Sequence, residues 1–318
     1  MSDKKKRRGL HSSLITHHLS LMRKIVHLSD LHFGRIDDRV VGPLAQAVRD
    51  AAPSLVVVSG DLTQRARSRQ FREARAFLDS LPHPQVVVPG NHDVPLWDVV
   101  ARFTRPLEKF RRYISDDPEP FYEDGEVAVA GVNTARSWTH KYGRVNERQI
   151  ARLRERLCAY GAAVFKAVVT HHPFDLPPGH DEREIVGRAR LAMEALAACG
   201  ADILLAGHLH VSHTGHTAER YRIRGHSALF VQAGTATSTR GRGEANSFNV
   251  VRLKHPHAQI ERRVWRPETE SFARGPAETF RRTPEGWERL TDEVAAGVTF
   301  DEEGAGLQPN IPAKAAGD

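Results

Sequence analysis

The chain has 318 residues, of which 40% are apolar and 27% are charged, and its formal net charge is +7. This composition excludes an intrinsically disordered chain, and because no uninterrupted apolar run has the length of a bilayer-spanning helix, we expect no transmembrane segment. The positive charge is concentrated in the amino-terminal tail and the arginine-rich carboxyl-terminal third, which is more typical of a solvated surface than of a nucleic-acid-binding face.

The amino-terminal part of the chain predicts alternating strands and helices. Residues 1–22 have a basic cluster but no apolar signal-peptide core, so we expect a disordered leader. Three apolar strands and two amphipathic helices then alternate, at residues 25–28, 40–51, 55–58, 68–81 and 85–89. This order predicts right-handed crossovers within a largely parallel sheet.

The middle of the chain contains an irregular segment and then returns to the same alternation. Residues 94–124 include several prolines and one helix-like apolar and basic stretch at 99–114, which predicts a cap or lid. Asn146 and Gln149 have the spacing of a capping box, so we expect a helix to begin there. Three strands and one more helix complete this part, at residues 127–132, 164–170, 202–206 and, for the helix, 184–199.

The carboxyl-terminal part changes to strands without long helices. Runs at residues 227–232, 247–253 and 259–265 are separated by Gly-rich or His/Pro turns, which predicts antiparallel strands that complete a second sheet. The predicted domain therefore covers residues 23–266. Residues 267–318 are polar and contain several prolines, and we expect a carboxyl-terminal extension whose Gly-, Ala- and Pro-rich end is disordered.

The chain has two cysteines, Cys158 and Cys199, each within a helical pattern. Two thiols at such positions are typical of ordinary core residues, so we expect no disulfide framework. Free thiols and the lack of a signal peptide together predict a protein of the reducing cytoplasm.

Side chains that can bind a metal ion follow five of the predicted strands. In α/β proteins, ligands gather at the carboxyl ends of parallel strands. Each of these residues alone has a simpler explanation as a turn former, a helix cap or a satisfied polar side chain. Their recurrence at the same position of five strands indicates one shared site, formed by Asp30, His32, Asp61, Asn91, His171, His208 and His210.

This donor set predicts a pair of metal ions. Two carboxylates, four imidazoles and one amide, without a thiolate, suit Mn²⁺, Fe²⁺/Fe³⁺, Zn²⁺ or Co²⁺. Seven donors are too many for one such ion, but they suit two ions that share a bridging ligand and leave positions for water or substrate. Such a pair stabilises the attacking and leaving oxygens of a displacement at phosphorus.

The motifs around these residues resemble the complete signature of the calcineurin-like metallophosphoesterases. The motifs occur in the order of that family, as Asp30-Leu31-His32, Gly60-Asp61, Gly90-Asn91-His92-Asp93, His171-His172-Pro173 and Gly207-His208-Leu209-His210. The similarity extends over residues 23–265. It implies an α/β fold with four layers, an αββα sandwich of two mixed β-sheets flanked by helices.

The resemblance also implies a role for each site residue. His92 contacts the phosphate and helps the leaving oxygen depart. Asp93 is expected to orient the His92 imidazole, as carboxylates commonly do for histidines at metal sites. His171 rather than His172 is the expected ligand, because family members often keep only the first histidine of this pair. The resemblance assigns one metal ion to Asp30, His32 and His210, the other to Asn91, His171 and His208, and the bridge between the two ions to Asp61.

The motifs alone do not define the substrate, because the family includes monoesterases, diesterases, nucleases and protein phosphatases. The chain looks most like the bacterial class III cyclic-nucleotide and glycerophosphodiester phosphodiesterases, by its Gly-Asn-His-Asp motif, its cap and residues 246–250. Asp93 follows Gly-Asn-His where serine/threonine phosphatase members have an arginine, which argues against that branch. The resemblance therefore implies hydrolysis of small phosphodiesters, with a 3′,5′-cyclic nucleotide such as cAMP as the leading candidate.

Four alternatives remain open at this point. A phosphomonoesterase or a glycerophosphodiesterase would share the fold and the metal site. A DNA or RNA nuclease would need a broad basic groove, which the sequence does not indicate. A noncatalytic scaffold would lack some of the metal donors, whereas all seven are present.

The substrate pocket is expected near the cap. Aromatic faces and cationic groups suit a base and a phosphate, and the candidates are Trp97, His140, Tyr142 and Arg144. Alternatively, Trp97 and Tyr142 only pack the cap. The basic loop at residues 237–243 either borders the same cleft or is a mobile surface turn, and the second interpretation is favoured. We expect a small phosphodiester as partner, with no obligatory nucleic acid and no membrane span, and a homo-oligomer is compatible with the sequence.

Overall fold

The computed structural model describes residues 21–240 and 243–300. Almost all of the predicted leader and the end of the predicted extension lie outside the described residues. In the part that is described, no helix has the length and apolar character needed to cross a membrane.

The first part of the chain forms the predicted alternation of strands and helices. Its elements are β1 (Arg23–Leu28), α1 (Asp38–Asp50), β2 (Leu55–Ser59), α2 (Ser68–Asp79) and β3 (Gln85–Val88). Strand β2 is a run of leucine and valine that is buried along its whole length, which is typical of an inner parallel strand covered on both faces. Helix α1 begins after Asp37, whose carboxylate accepts a hydrogen bond from the Arg39 N–H.

The middle part continues the alternation after the cap. Its elements are α3 (Val99–Thr104), α4 (Glu108–Tyr113), β4 (Phe121–Glu123), β5 (Val127–Gly131), α5 (Glu147–Leu157), β6 (Phe165–Val169), α6 (Ala189–Ala198) and β7 (Ile203–Ala206). The helix-like stretch predicted at 99–114 is two short helices separated at Arg105, where the following Pro106 disfavours the helical conformation. The predicted capping box is present, since Asn146 and Gln149 each accept a hydrogen bond from the other's backbone N–H at 2.9 Å.

The carboxyl-terminal part is divided between two sheets. Its elements are β8 (His213–His216), α7 (Ala218–Tyr221), β9 (Leu229–Gln232), β10 (Ser247–Lys254), β11 (His257–Arg266), β12 (Ser271–Thr283), β13 (Gly286–Arg289) and α8 (Asp292–Ala295). The prediction that the late strands complete a second sheet is wrong for β10 and β11, because β10 pairs antiparallel with β1 and extends the first sheet. Strand β9 does join the second sheet, but parallel to β7. Strands β12 and β13, which the sequence did not predict, continue the first sheet beyond β11.

The predicted four-layer sandwich is confirmed. One sheet has the strand order β13-β12-β11-β10-β1-β2-β3 and the other β4-β5-β6-β7-β9-β8. Apolar side chains such as Val57 and Val231 fill the space between the sheets. A second apolar cluster, which includes Phe71, packs α1 and α2 on the first sheet, and a third, which includes Leu153, packs α5 and α6 on the second sheet.

The packing of α5 against α6 joins the two cysteines, so the prediction of two free thiols is wrong. Cys158 lies directly after α5 and Cys199 directly after α6, and the two residues form a disulfide with a Cα–Cα distance of 4.4 Å. The argument from free thiols therefore no longer supports a cytoplasmic location.

Candidate metal centre

Five of the seven predicted metal-binding residues have a left-handed backbone conformation, which costs a residue with a side chain about 1 kcal/mol. These residues lie directly after β1, β2 and β7, where the chain turns sharply. The loops after β1 and β2 are joined, because the Asp30 N–H donates to the Gly60 carbonyl at 3.1 Å and the His32 N–H to the Asp61 carbonyl at 2.9 Å. The φ angles are 54° at Asp30, 51° at His32, 53° at Asp61, 76° at His208 and 60° at His210.

The first group of donor atoms comes from Asp30, His32 and His210. The Asp30 Oδ1 atom lies 3.4 Å from His32 Nε2 and 3.5 Å from His210 Nε2. Two donors about 2.1 Å from one ion are about 3 to 3.5 Å apart, so these separations suit adjacent ligands of a metal. Among the described residues, Asp30 Oδ1 and both ring nitrogens of His32 are buried without a hydrogen-bond partner. Buried polar atoms of this kind fit a cation that they coordinate.

The second group of donor atoms comes from Asn91, His171 and His208. The Asn91 Oδ1 atom lies 3.0 Å from His171 Nε2 and 3.1 Å from His208 Nδ1, and these two nitrogens are 3.3 Å apart. Asp61 lies between the two groups, with its Oδ2 atom 3.6 Å from His32 Nε2 and 3.4 Å from His171 Nε2. The structure thus brings all seven predicted donors together, with one carboxylate shared by both groups.

Hydrogen bonds from the outer ring nitrogens orient two of these histidines. His171 Nδ1 lies 2.8 Å from the Ser59 carbonyl, which only accepts, so Nδ1 carries the proton and the Nε2 lone pair faces the site. His208 Nε2 lies 3.0 Å from Glu184 Oε2, which leaves the Nδ1 lone pair facing the site. Carboxylates and carbonyls commonly orient metal-binding histidines in this way.

Glu184 was missed by the sequence analysis. It lies in a 3-10 turn before α6, is buried, and forms an ion pair with Lys141 in addition to its contact with His208. Burial opposes its ionisation, but hydrogen bonds from His208 and Lys141 lower the pKa of Glu184 to about 2. A glutamate in a polar loop carries no local signal for this role, because its partner is 24 residues away.

Each carboxylate of the centre accepts hydrogen bonds from the protein through one oxygen. Its other oxygen faces the neighbouring donor atoms. Asp30 Oδ2 accepts from Ser29 Oγ at 2.7 Å and from the His208 N–H at 2.9 Å. Asp61 Oδ1 accepts from the His92 N–H at 2.8 Å. Glycines permit this close packing, since a Cβ at Gly90 would lie 2.1 Å from Asp61 Oδ1 and one at Gly207 would lie 1.8 Å from Ser29 Oγ.

The electrostatic field of the centre favours positive charge. Burial alone would lower the pKa of His171, yet the charges of Asp61 and Asp30 raise it to about 9. The two buried carboxylates, Asp30 and Asp61, thus place negative charge in the centre that a cation would neutralise. Divalent ions at this position would neutralise that negative charge. The donor set and its charge therefore both fit the metal pair that the sequence predicts.

The structure places His92 at the border of the centre but contradicts the predicted role of Asp93. The His92 ring lies 4.9 Å from the His32 ring, and its Nδ1 atom is 2.9 Å from the Gln64 carbonyl. Asp93 does not hold this ring. Its buried carboxylate accepts from the backbone N–H groups of Thr63 at 2.8 Å and Gly90 at 2.9 Å, and burial together with the charge of Asp61 raises its pKa to about 6. Asp93 therefore ties the loop after β2 to the loop after β3.

His172 lies beside the centre but has both ring nitrogens occupied by protein atoms. Its Nε2 atom is 2.9 Å from the Lys141 carbonyl, which only accepts, and its Nδ1 atom is 2.8 Å from the Thr134 hydroxyl. This arrangement leaves no lone pair for a metal, in agreement with the choice of His171.

Of the four predicted substrate contacts, the structure brings one to the centre. The His140 ring lies 6.2 Å from the His92 ring. Trp97 is 78% exposed, Tyr142 is half-buried beside Lys141, and Arg144 is exposed on the strand-like bridge to Gly187. Among the described contacts, none joins Trp97, Tyr142 or Arg144 to a predicted metal ligand. A further cation, Arg240, lies 2.9 Å from His92 through its Nη1 atom and belongs to the basic loop for which bordering this cleft was the less favoured interpretation.

Known sequences resemble the part of the chain that carries these residues. The profile of the calcineurin-like phosphoesterase family matches residues 23–212, which is more than half of the chain. The glycerophosphodiester phosphodiesterase GpdQ of Enterobacter lignolyticus (strain SCF1) is 28% identical over 174 residues, which cover 50% of this chain and 60% of GpdQ. The matched segment thus spans less than two-thirds of that relative.

Solved structures resemble the fold. The structure of PhoD has a TM-score of 0.62 at 10% identity and covers 85% of this chain and 72% of its own. A dimetal phosphatase from Danio rerio has a TM-score of 0.54 at 14% identity, with coverage of 76% and 96%. The purple acid phosphatase PPD1 from yellow lupin (Lupinus luteus) seeds has a TM-score of 0.57 at 13% identity, with coverage of 82% and 54%.

Proposed function

The chain belongs to the calcineurin-like phosphoesterase family, whose members are metal-dependent phosphoester hydrolases, and from this we propose that it is a dinuclear-metal phosphodiesterase. Its substrates are small phosphodiesters, with a 3′,5′-cyclic nucleotide such as cAMP as the leading candidate. The observation that carries the proposal is the shared position of Asp61, whose Oδ2 atom lies 3.6 Å from a nitrogen of the first donor group and 3.4 Å from a nitrogen of the second.

The residues divide into two metal sites. Asp30, His32 and His210 would hold one ion, Asn91, His171 and His208 would hold the other, and Asp61 would be the ligand shared by both. Oxygen and imidazole donors make Mn²⁺, Fe²⁺/Fe³⁺ and Zn²⁺ the expected metals. The chemistry supplied by the bound pair is Lewis-acid activation of a water and of the phosphoryl group.

Residues at the border of the centre would supply proton transfer and contacts to the phosphate. His92 lies at this border, where an imidazole that carries a proton on Nε2 would hydrogen-bond a phosphoryl oxygen or give that proton to the leaving oxygen. The contact from its Nδ1 atom to the Gln64 carbonyl holds the ring in this orientation. No serine, cysteine or threonine nucleophile is required, because water attacks phosphorus.

Two features favour a diester over a monoester. Asp93 occupies the position after Gly-Asn-His, and its buried carboxylate holds backbone amides, so this position supplies no cation for a phosphate dianion. The sequence relative is named as a glycerophosphodiester phosphodiesterase, which favours that activity as the second candidate.

A substrate panel tests the proposal. The protein, purified with its metals, is compared on bis(p-nitrophenyl) phosphate, p-nitrophenyl phosphate, 2′,3′- and 3′,5′-cyclic nucleotides and a glycerophosphodiester. We expect faster turnover of the diesters, with 3′,5′-cAMP among the substrates. A marked preference for the monoester would overturn the substrate class, and hydrolysis of the glycerophosphodiester alone would support the second candidate.

A further inference from the structure

Arg240 lies at the border of the metal centre, in a loop after β9 that hydrogen bonds fix in place. The buried Thr237 hydroxyl donates to the Leu31 carbonyl at 2.5 Å, and the Thr237 carbonyl accepts from the Asp37 N–H at 2.9 Å. Ser238 Oγ lies 3.1 Å from the Arg35 carbonyl and accepts from the Arg240 N–H, also at 3.1 Å. For residues 237–240, the preferred prediction of a mobile surface turn is therefore wrong.

The anchors of this loop also belong to the metal centre. The loop packs on residues 31–37, which directly follow Asp30, and the Thr235 hydroxyl donates to the Asp30 carbonyl at 2.9 Å. The position of Arg240 is thus coupled to the backbone that presents the first donor group. A side chain placed by such contacts keeps a defined position relative to the metal ligands.

The guanidinium of Arg240 contacts one ring nitrogen of His92. Its Nη1 atom lies 2.9 Å from His92 Nε2. A guanidinium only donates hydrogen bonds, so Nε2 is the acceptor and the His92 proton is on Nδ1, which donates to the Gln64 carbonyl at 2.9 Å. Arg240 is therefore in direct contact with the imidazole at the border of the centre.

Arg240 is a half-buried cation without an ion-pair partner. Within residues 21–240 and 243–300, no carboxylate lies at ion-pair distance from its guanidinium, although most arginines of comparable burial have one, such as Arg220 with Asp175. The nearby charged side chains outside the metal ligands are Arg35 and Arg65, which add positive charge. A neutral imidazole is a weak partner for a guanidinium, which binds phosphate and carboxylate oxygens more strongly.

We propose that Arg240 is a phosphate-binding residue of this site, whose guanidinium binds a nonbridging phosphoryl oxygen beside His92. This contact pairs a cation that has no carboxylate partner with an anion, and it places the phosphoryl group next to the His92 ring. The substrate class this selects is a phosphoester with an anionic oxygen within reach of both His92 and Arg240. The inference rests on the proposed function only in that the ligand carries a phosphoryl group.

Inorganic phosphate is the probe that tests the inference. Its affinity for the Mn²⁺-loaded protein is measured by titration calorimetry for the wild type, Arg240→Met and Arg240→Lys, with the metal content of each sample determined by elemental analysis. Loss of one charge-assisted hydrogen bond is expected to weaken phosphate binding about 10- to 100-fold in Arg240→Met. Arg240→Lys keeps the charge without the planar fork, so its affinity should lie between the two.

Arg39→Met is the matched control, because Arg39 is an exposed arginine paired with Asp37 on the segment that anchors the loop. Its phosphate affinity should stay within about twofold of the wild type, as expected for an exposed surface pair. With bis(p-nitrophenyl) phosphate, Arg240→Met should raise KM at unchanged metal content.

Three results would overturn the inference. One is an unchanged phosphate affinity in Arg240→Met, and another is a wild-type protein that binds Mn²⁺ but no phosphate. The third is loss of metal from both Arg240 variants, which would make the residue structural. A wild-type protein that binds phosphate in an Arg240-dependent way but hydrolyses no phosphoester would instead contradict the proposed function and leave the inference standing.

Discussion

The metal centre and an apolar rim formed by exposed side chains around α3 are built on opposite principles. In the centre, the donor side chains are buried and their remaining polar atoms are held by backbone and side-chain partners, as His171 is by Ser59. The apolar rim, in contrast, consists of large exposed side chains on α3 and the loop after β5. Its members are Trp97, Val99, Val100, Phe103 and Trp138, and Trp138 is 87% exposed.

The difference concerns what a single substitution can change. A buried donor has several partners, so its loss exposes a cavity, an unpaired charge and a missing ligand at once. An exposed rim side chain has few partners in the protein, and its contribution depends on what binds there. Four substitutions sharpen this comparison, from the largest expected effect to the smallest.

Asp61→Ala should have the largest effect, because this carboxylate is shared by both donor groups. We expect the variant to bind at most one of the two metal ions and its turnover to fall to background. Metal content by elemental analysis and turnover of bis(p-nitrophenyl) phosphate measure the two losses, and circular dichroism verifies the fold. Retention of both ions would show that Asp61 is not the bridge.

His92→Ala should separate catalysis from metal binding. The ring lies at the border of the centre and its role is proton transfer or phosphate contact, so turnover should fall about 10²- to 10⁴-fold at unchanged metal content. The same two assays apply. Equal metal contents in Asp61→Ala and His92→Ala would contradict the division of roles between the two residues.

Glu184→Ala should weaken the second donor group without removing a ligand. Without its carboxylate, His208 loses the hydrogen bond that orients its ring, and metal affinity should fall about 10- to 100-fold. Competition with a chelator measures the affinity. Glu182→Ala is the control, since Glu182 lies in the same 3-10 turn but pairs with Arg220 at the surface, and an equal loss in both variants would point to disruption of the turn.

Trp97→Ala should have the smallest effect on stability. Because its side chain is 78% exposed, the free energy of unfolding should change by no more than about 0.5 kcal/mol. Trp265→Ala removes a tryptophan that is 4% exposed and should cost about 3 to 5 kcal/mol. Urea denaturation compares the two variants. A large loss of stability in Trp97→Ala would mean that the rim packs as part of the core.

The features that were predicted from the sequence, in the fold and in the site, are those with a local signal. The capping box at Asn146 was predicted from residues three positions apart, and the donors at the strand ends were predicted because each follows an apolar run. Glu184 had no such signal, and the basic composition of the loop that contains Arg240 left two interpretations open. The partners of these two residues are 24 and 148 residues away, and a glutamate or an arginine in a polar loop looks like any other surface residue.

The same reason explains the errors in the fold. The pattern of β10 and β11 correctly predicted strands, but an apolar alternation does not say which sheet edge a strand will join, and packing assigned them to β1. Cys158 and Cys199 were placed within helical patterns and lie directly after α5 and α6, yet only the contact between these two helices brings them together.

By itself, the sequence determined the alternation of strands and helices, the family and the donor types that follow each strand, because these depend on periodicity and on neighbouring residues. Only the tertiary structure decided the partners: which nitrogen of each histidine faces the centre, that Asp93 holds backbone amides rather than His92, and that Arg240 contacts His92. Such contacts join residues far apart in the chain, and their distances arise from the packing of two sheets and their loops, which no local pattern encodes.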